Sequence, residues 1–329
     1  MTATQGGALV ISLDFEIHWG MRDKERPDGQ VRSNLLGVRE AVPRMLDCFE
    51  RSGVAATWAT VGFLFARNRD ELAEFAPTIR PRYANSQLAP WNEPVGHNEL
   101  DDPLHYASSL IDRVNRCPRQ EIATHTYSHY YCQEAGQTAE SFDADLQSAI
   151  AIAARRGHSF HSIVFPRNQH NPAYADVLLR NGIVCYRGNP RSWMYRGDSR
   201  AHRIARLADS CRNLSGQNTF AWDGLIEPET GLVNVPASFM LRPWSSRLAG
   251  LRQRRIEQCL LHAARHGEIA HLWWHPHNFG SSTDRNISVL NQVLGHFERL
   301  RDQYGMESLT MHDVAERVGV VVPERRHAA

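Results

Sequence analysis

Ala8-Leu9-Val10-Ile11-Ser12-Leu13 is apolar at nearly every consecutive position instead of at alternate ones. A strand with one wet face alternates; a strand covered on both faces does not, and such strands belong to parallel sheets flanked by helices. The pattern continues along the chain. Residues 35–51 have helical periodicity and stop at Ser52-Gly53, with Pro43 predicting a kink or a later helix start. Residues 54–60 read as a second strand, and 61–66 begin another helix. Helices are expected at 104–116, 141–156, 173–181, 199–211, 248–266, 286–304 and 311–318. Further strands are expected at 121–123, 162–165, 183–186, 232–238 and 269–274. Strand alternating with helix predicts an α/β fold, and 329 residues suffice for one large barrel with insertions. Residues 67–100 carry Pro77, Pro81, Pro90 and Pro94 with little periodicity and read as an insertion over one end of the barrel, part of a substrate lid.

The totals narrow the function. A net charge of +1 gives no broad field to recruit nucleic acid or anionic membrane. No window approaches a membrane span, and the first residues lack a basic region followed by an apolar core. Six cysteines without a C-x-x-C read as reduced thiols, so a cytoplasmic protein is expected. Residues 1–7 are expected to be a flexible N-terminus, 8–318 a single catalytic domain and 319–329 a tail. The oligomeric state is not legible.

Chemistry gathers where the strands end. Asp14, Glu16 and His18 follow the first strand and, in continued extension, fall on one face. His125 and His129 follow a short strand; on a helix they would stand one above the other and could grip a divalent cation, with tyrosines around them, Tyr127 among these. Arg167, Asn168 and Gln169 follow the fourth strand, residue types that hold carboxylates and polar ligands. Arg187 and Trp193 follow the fifth. Trp274 and His275 end the strand at 269–274, where a histidine among aromatics suits acid–base work. Each pattern alone also fits a polar turn.

Taken in order, these motifs resemble the polysaccharide deacetylase family, carbohydrate esterase family four, with its NodB-homology domain. The resemblance implies a distorted (β/α)7-type barrel holding one divalent metal, zinc first, with cobalt, nickel, manganese or iron accepting the same ligands. It implies Asp14 as catalytic base, Glu16, His125 and His129 as metal ligands, Arg167 as the arginine orienting the base and His275 as general acid. Phe15 occupies the place of the Asp in the commonest version of the first motif, so the metal acid falls one residue later, at Glu16; His18 is an alternative ligand. The family's Asp after the fifth strand has no clear counterpart, and Asp198 and Asp223 are the candidates to orient His275. Asp14 and His275 are expected on opposite sides of the open metal position. Trp19, Tyr127, Asn168, Gln169, Arg187, Trp193 and Trp274 are expected to bind substrate.

The implied activity is metal-dependent removal of an N-acetyl or O-acetyl group from a sugar, oligosaccharide or glycan-biosynthesis intermediate. Alternatives are hydrolysis of a small non-sugar amide, as in allantoinase or cyclic-imidase relatives, a catalytically inactive carbohydrate-binding relative, and a metal-free structural protein.

Overall fold

The computed structural model describes residues 5–197, 199–245 and 247–320. Its centre is β1 (Ala8–Phe15), every residue of which is buried. β1 pairs in parallel with β2 (Ala56–Thr60) on one side and β8 (Ile269–Trp274) on the other, while its first three residues also pair with β9 (Glu307–Leu309). From β2 the sheet continues through β3 (Gln120–Thr124), β4 (Ser162–Ile163), β5 (Cys185–Tyr186) and β6 (Val233–Asn234); from β8 it continues to β7 (Phe239–Met240).

The two ends of this path lie on one stretch of chain. The N–H groups of Val233, Val235 and Ala237 donate to Val184, Tyr186 and Gly188. Those of Ser238 and Leu241 donate to His271 and Trp273. Residues 233–241 therefore leave β5 and join β8, and the sheet curls into a barrel of seven strand positions, β6 and β7 sharing one. Pro236 falls between Val235, which donates to β5, and Ala237, which donates to Gly188 just beyond it, where no N–H is needed for the ladder. The expected strand at 232–238 is thus a crossing strand with a short paired segment at each end. The distorted (β/α)7-type barrel is the fold observed.

The helices follow the expected rhythm: α1 (Gly29–Ser52), α2 (Arg69–Glu74), α3 (Ser108–Arg116), α4 (Ala139–Ala154), α5 (Ala175–Arg180), α6 (Arg200–Asp209), α7 (Ala249–His266), α8 (Thr283–Tyr304) and α9 (Met311–Arg317). α1 runs on through Pro43 and closes on Gly53 in the left-handed conformation. The helix expected from residue 61 is a 3-10 turn, Gly62–Phe65. The insertion at 67–100 holds α2 and two 3-10 turns, Ser86–Leu88 and Pro90–Asn92.

The two faces of β1 explain where chemistry can sit. Leu9, Ile11, Leu13 and Phe15 join the large cluster between sheet and helices. Ala8 and Val10 point the other way, into a cluster with Val233, Ile269 and the α9 residues Met311, Val314 and Ala315. The inward face therefore begins apolar, plugged by α9, and ends with Ser12 and Asp14. Polarity rises toward the carboxyl ends of the strands, the end where such barrels carry their sites.

Candidate metal-dependent active site

β1 ends at Phe15, and Glu16 continues on the inward side, past the last pair of the ladder. Phe15 turns outward onto Trp58, ring centroids 6.1 Å apart. At Ile17 the backbone enters the left-handed region, φ 47°. A β-branched residue adopts that conformation only under constraint, at a cost of order 1–3 kcal/mol. The kink ends the strand alternation. His18 is carried off to His105 and Glu93, so the expectation that Asp14, Glu16 and His18 share one face is corrected.

The Glu16 carboxylate needs a glycine beside it. A Cβ at Gly20 would stand 2.0 Å from Glu16 Cδ and Oε1. With that space open, Glu16 Oε2 lies 3.3 Å from His125 Nε2 and 3.1 Å from His129 Nε2. All three side chains are buried.

The two histidines are not on a helix, as the spacing had predicted. They sit in a loop after β3 in which Thr126 (φ 63°) and His129 (φ 57°) are left-handed. Asp145 of α4 replaces the missing helical hydrogen bonds. Its carboxylate accepts the N–H groups of Tyr127 (2.7 Å) and Ser128 (3.2 Å), and the Ser128 hydroxyl. Burial pushes the Asp145 carboxyl up to about 6, against the opposing pull of these donors.

Proton positions at this cluster follow from its partners. His125 Nδ1 is 2.7 Å from the Val164 carbonyl, an acceptor, so Nδ1 carries the hydrogen. His125 Nε2 is then a buried lone pair with no hydrogen-bond partner, facing a carboxylate oxygen. Two acceptors in contact repel unless a cation lies between them. Burial first, and neighbouring His125 after it, lower His129 to about 4 against the raising pull of Glu16, which keeps it neutral and able to ligate. Burial works to raise Glu16, yet His275, His125 and His129 bring it well below the ordinary range. A neutral His129, an ionised carboxylate, an unpartnered His125 nitrogen and a carbonyl holding the far nitrogen of that ring fit a divalent metal.

Beside this cluster lies Asp14, gripped by Arg187 through both oxygens at 2.6 and 2.8 Å. Burial would raise the Asp14 carboxyl, but the Arg187 charge and hydrogen bonds take it below its usual value. Arg187 is itself buried, packed over Trp273 at 4.4 Å, and donates to Ser12 Oγ (3.0 Å) and Asn168 Oδ1 (2.9 Å). Ser12 Oγ also lies 2.9 Å from His271 Nε2, while His271 Nδ1 faces the Val235 carbonyl at 3.1 Å. His271 therefore carries its proton on Nδ1 and accepts from Ser12, which leaves the Ser12 oxygen free to receive Arg187.

Arg167, expected to orient Asp14, does not reach it. Its guanidinium pairs with Asp23 and lies 4.3 Å over the Tyr131 ring. Arg167 and Asn168 are both left-handed, so the loop after β4 sends the two side chains to different partners. His275 Nε2 is 3.4 Å from Glu16 Oε1 and 3.8 Å from Asp14 Oδ2. Asp14 and His275 are thus neighbours, both beside Glu16. Among the described residues no further carboxylate pairs with His275. Asp223 belongs to a pocket at the other end of the barrel with Gly6 and Ala264, and Asp198 lies outside the described residues.

The expected substrate-binding residues divide sharply. Asn168 and Arg187 are in the site. Gln169 is nearby on the loop, bonded to Glu134 and the Gln133 N–H. Trp19, Tyr127 and Trp274 are buried and expose no surface to a ligand. Trp19 donates to the His105 carbonyl, Tyr127 to that of Leu72, and Trp274 stacks on Phe279. Trp193 is exposed, on a turn beside His202. Asp145 was missed although its signal was present: it falls on the buried stripe of α4 with Phe142, Leu146 and Ala149, where a carboxylate has no business without a partner. Asp23 and Trp273 carried no comparable signal.

No family profile and no curated protein sequence matches the chain. Solved structures do. One is a protein assigned as a polysaccharide deacetylase from Mycobacterium smegmatis, at a TM-score of 0.60 and 14% identity over 98% of this chain and 97% of that one. Another is a probable polysaccharide deacetylase from Pseudomonas aeruginosa PAO1, at 0.54 and 11% over 94% and 89%. A third is the Puue allantoinase, at 0.55 and 11% over 96% and 91%. The chain has the fold of the polysaccharide deacetylases, the NodB-like barrel. An allantoinase shares that fold, so the chemistry must be argued from the site.

Proposed function

We propose that this protein is a metal-dependent hydrolase that removes an N-acetyl or O-acetyl group from a sugar, oligosaccharide or glycan-biosynthesis intermediate. One observation carries the reading: the Glu16 carboxylate meets His125 Nε2 and His129 Nε2 at 3.3 and 3.1 Å, beside Asp14 and His275. Glu16, His125 and His129 would hold the ion, zinc by donor type, and three protein ligands leave a position open. A divalent cation there supplies Lewis acidity and brings the pKa of water from 15.7 to about 7. Asp14, kept ionised by Arg187, accepts the proton of the attacking water. Arg187 and Asn168 fix the direction of that carboxylate. His275, partly open to solvent, delivers a proton to the departing nitrogen or oxygen, a contribution of roughly 10²–10⁴-fold. Arg167, held by Asp23 and by the buried Tyr131 ring, forms a polar rim beside His129 for the substrate's hydroxyls or charge.

Six free cysteines support a reducing, cytoplasmic site of action. No helix among the described residues is long and apolar enough to cross a membrane.

Acetate release from N-acetylated and O-acetylated sugars by the metal-loaded chain, run beside ring opening of cyclic ureides and imides, tests the substrate class. His275→Ala should keep its metal and lose at least 100-fold in kcat. Loss of the ion in that variant would make His275 a ligand and overturn the assignment of roles; ring opening without acetate release would overturn the substrate class.

A further inference from the structure

A second convergence of donors lies outside the site just described. His18 Nδ1 is 3.1 Å from His105 Nε2, and Glu93 Oε1 is 3.7 Å from each. The three atoms form a triangle close in size to the one made by Glu16, His125 and His129. Ligands around a tetrahedral zinc at about 2.0–2.1 Å stand roughly 3.3 Å apart.

The far nitrogens of both rings are already engaged. His105 Nδ1 is 2.7 Å from Asp102 Oδ2, and Asp102 also accepts the N–H groups of Gly96 (2.8 Å) and Leu104 (3.3 Å). A carboxylate collecting N–H donors acts as an acceptor, which puts the His105 hydrogen on Nδ1 and a lone pair on Nε2. His18 Nε2 faces the Glu25 carbonyl at 3.5 Å, which leaves the His18 lone pair on Nδ1. A single shared proton joins the two near nitrogens; an ion that displaces it would meet two lone pairs and a carboxylate oxygen, with a carboxylate behind one imidazole as in many metal sites. His18 and His105 are buried, and Glu93 is 22% exposed at the side chain, so an ion has a way in.

We propose that His18, Glu93 and His105 form a second site for a divalent transition cation, zinc by donor type, that clasps the insertion to the end of β1. His18 stands two residues beyond Glu16. Glu93 follows the turn Pro90–Asn92, and His105 precedes α3, so one ion joins segments 75 and 87 residues apart. The inference does not rest on the proposed function.

The full chain, stripped with a chelator, reloaded with excess Zn²⁺ and desalted, is read by elemental analysis. Two ions per wild-type chain are expected, one after Glu93→Gln/His105→Ala, one after His125→Ala/His129→Ala, and none in the four-fold variant. In the His125→Ala/His129→Ala chain, added Zn²⁺ should raise Tm by several degrees. Should the His105 variant fail to fold, Glu93→Gln alone, at a partly exposed position, should weaken the second ion at least tenfold in competition with a chelating dye. A wild type holding one ion that survives Glu93→Gln/His105→Ala overturns the second site, as do two ions retained in that variant or unchanged affinity in Glu93→Gln. One ion lost with His105→Ala and kept without His125 and His129 would instead remove the proposed active-site metal and leave the clasp standing.

Discussion

Arg187 Nη1 and Nη2 hold the two oxygens of Asp14 at 2.6 and 2.8 Å, and both residues are buried. Removing the guanidinium strands a carboxylate in a place where burial alone would raise its pKa. Arg187→Met should cost roughly 3–5 kcal/mol of stability, as for other broken buried pairs. The sign on activity follows from the same charge. Without Arg187 the base is ionised only at higher pH, so the acid limb of the kcat/KM profile should move up. A rate loss with the limb in place would show that Asp14 is not the titrating base.

Gly20 touches no substrate and offers no ligand, yet a methyl there would overlap the Glu16 carboxylate at 2.0 Å. Gly20→Ala should lower affinity for the active-site metal at least tenfold while leaving the far-ultraviolet circular dichroism unchanged. Chelator competition and a thermal melt on the same sample check both halves.

Asp145 holds the His125–His129 loop through two backbone N–H groups and a hydroxyl. Asp145→Ala should cost about 1–3 kcal/mol for each buried donor left unpaired, and should weaken metal binding without removing a ligand. Burial pushes the native carboxyl from the ordinary aspartate value, about 4, up to about 6. Between those values the folded chain binds more proton than the unfolded one. Stability from this group therefore falls as pH rises from about 4 to 6 and is level above. The urea midpoint of the wild type relative to Asp145→Ala should decline across that window, and a flat difference would contradict the shift.

Arg167 lies over Tyr131 and pairs with Asp23, away from the base. Arg167→Ala should raise KM about tenfold and leave kcat within a few-fold, the pattern of lost binding common to ground and transition state. A large fall in kcat at unchanged KM would restore the orienting role that the sequence order suggested.

How much could be read in advance differs with the kind of information involved. Strand and helix order was legible because period 2, period 3.6 and unbroken apolar runs are local properties, and the gathering of Glu16, His125 and His129 was legible because their motifs close separate strands at one end of the barrel. Conformation inside the loops was not. Ile17, Thr126, His129, Arg167 and Asn168 all adopt positive φ without being glycine, and each reverses a direction that regular geometry would assign. Regular geometry therefore sets His18 with Glu16, the histidine pair on a helix and Arg167 beside the base, where the loops place none of them. Burial of Trp19, Tyr127 and Trp274 was hidden for a related reason: an aromatic near a reactive motif has the same composition whether it faces a ligand or the core.

The crossing segment at 233–241 has a bearing on how the chain behaves in a crowded solution. Sheets that stop at an open border offer unmet N–H and C=O groups to any extended peptide nearby, and proteins guard such borders against sticking to one another. Here a single stretch gives its first half to one border and its second half to the other, and Phe220 bonds both ways with Ile269 at the start of β8. Among the described residues little ladder is left for a stranger to extend, so lengthening this stretch is the change that should open a border and promote aggregation.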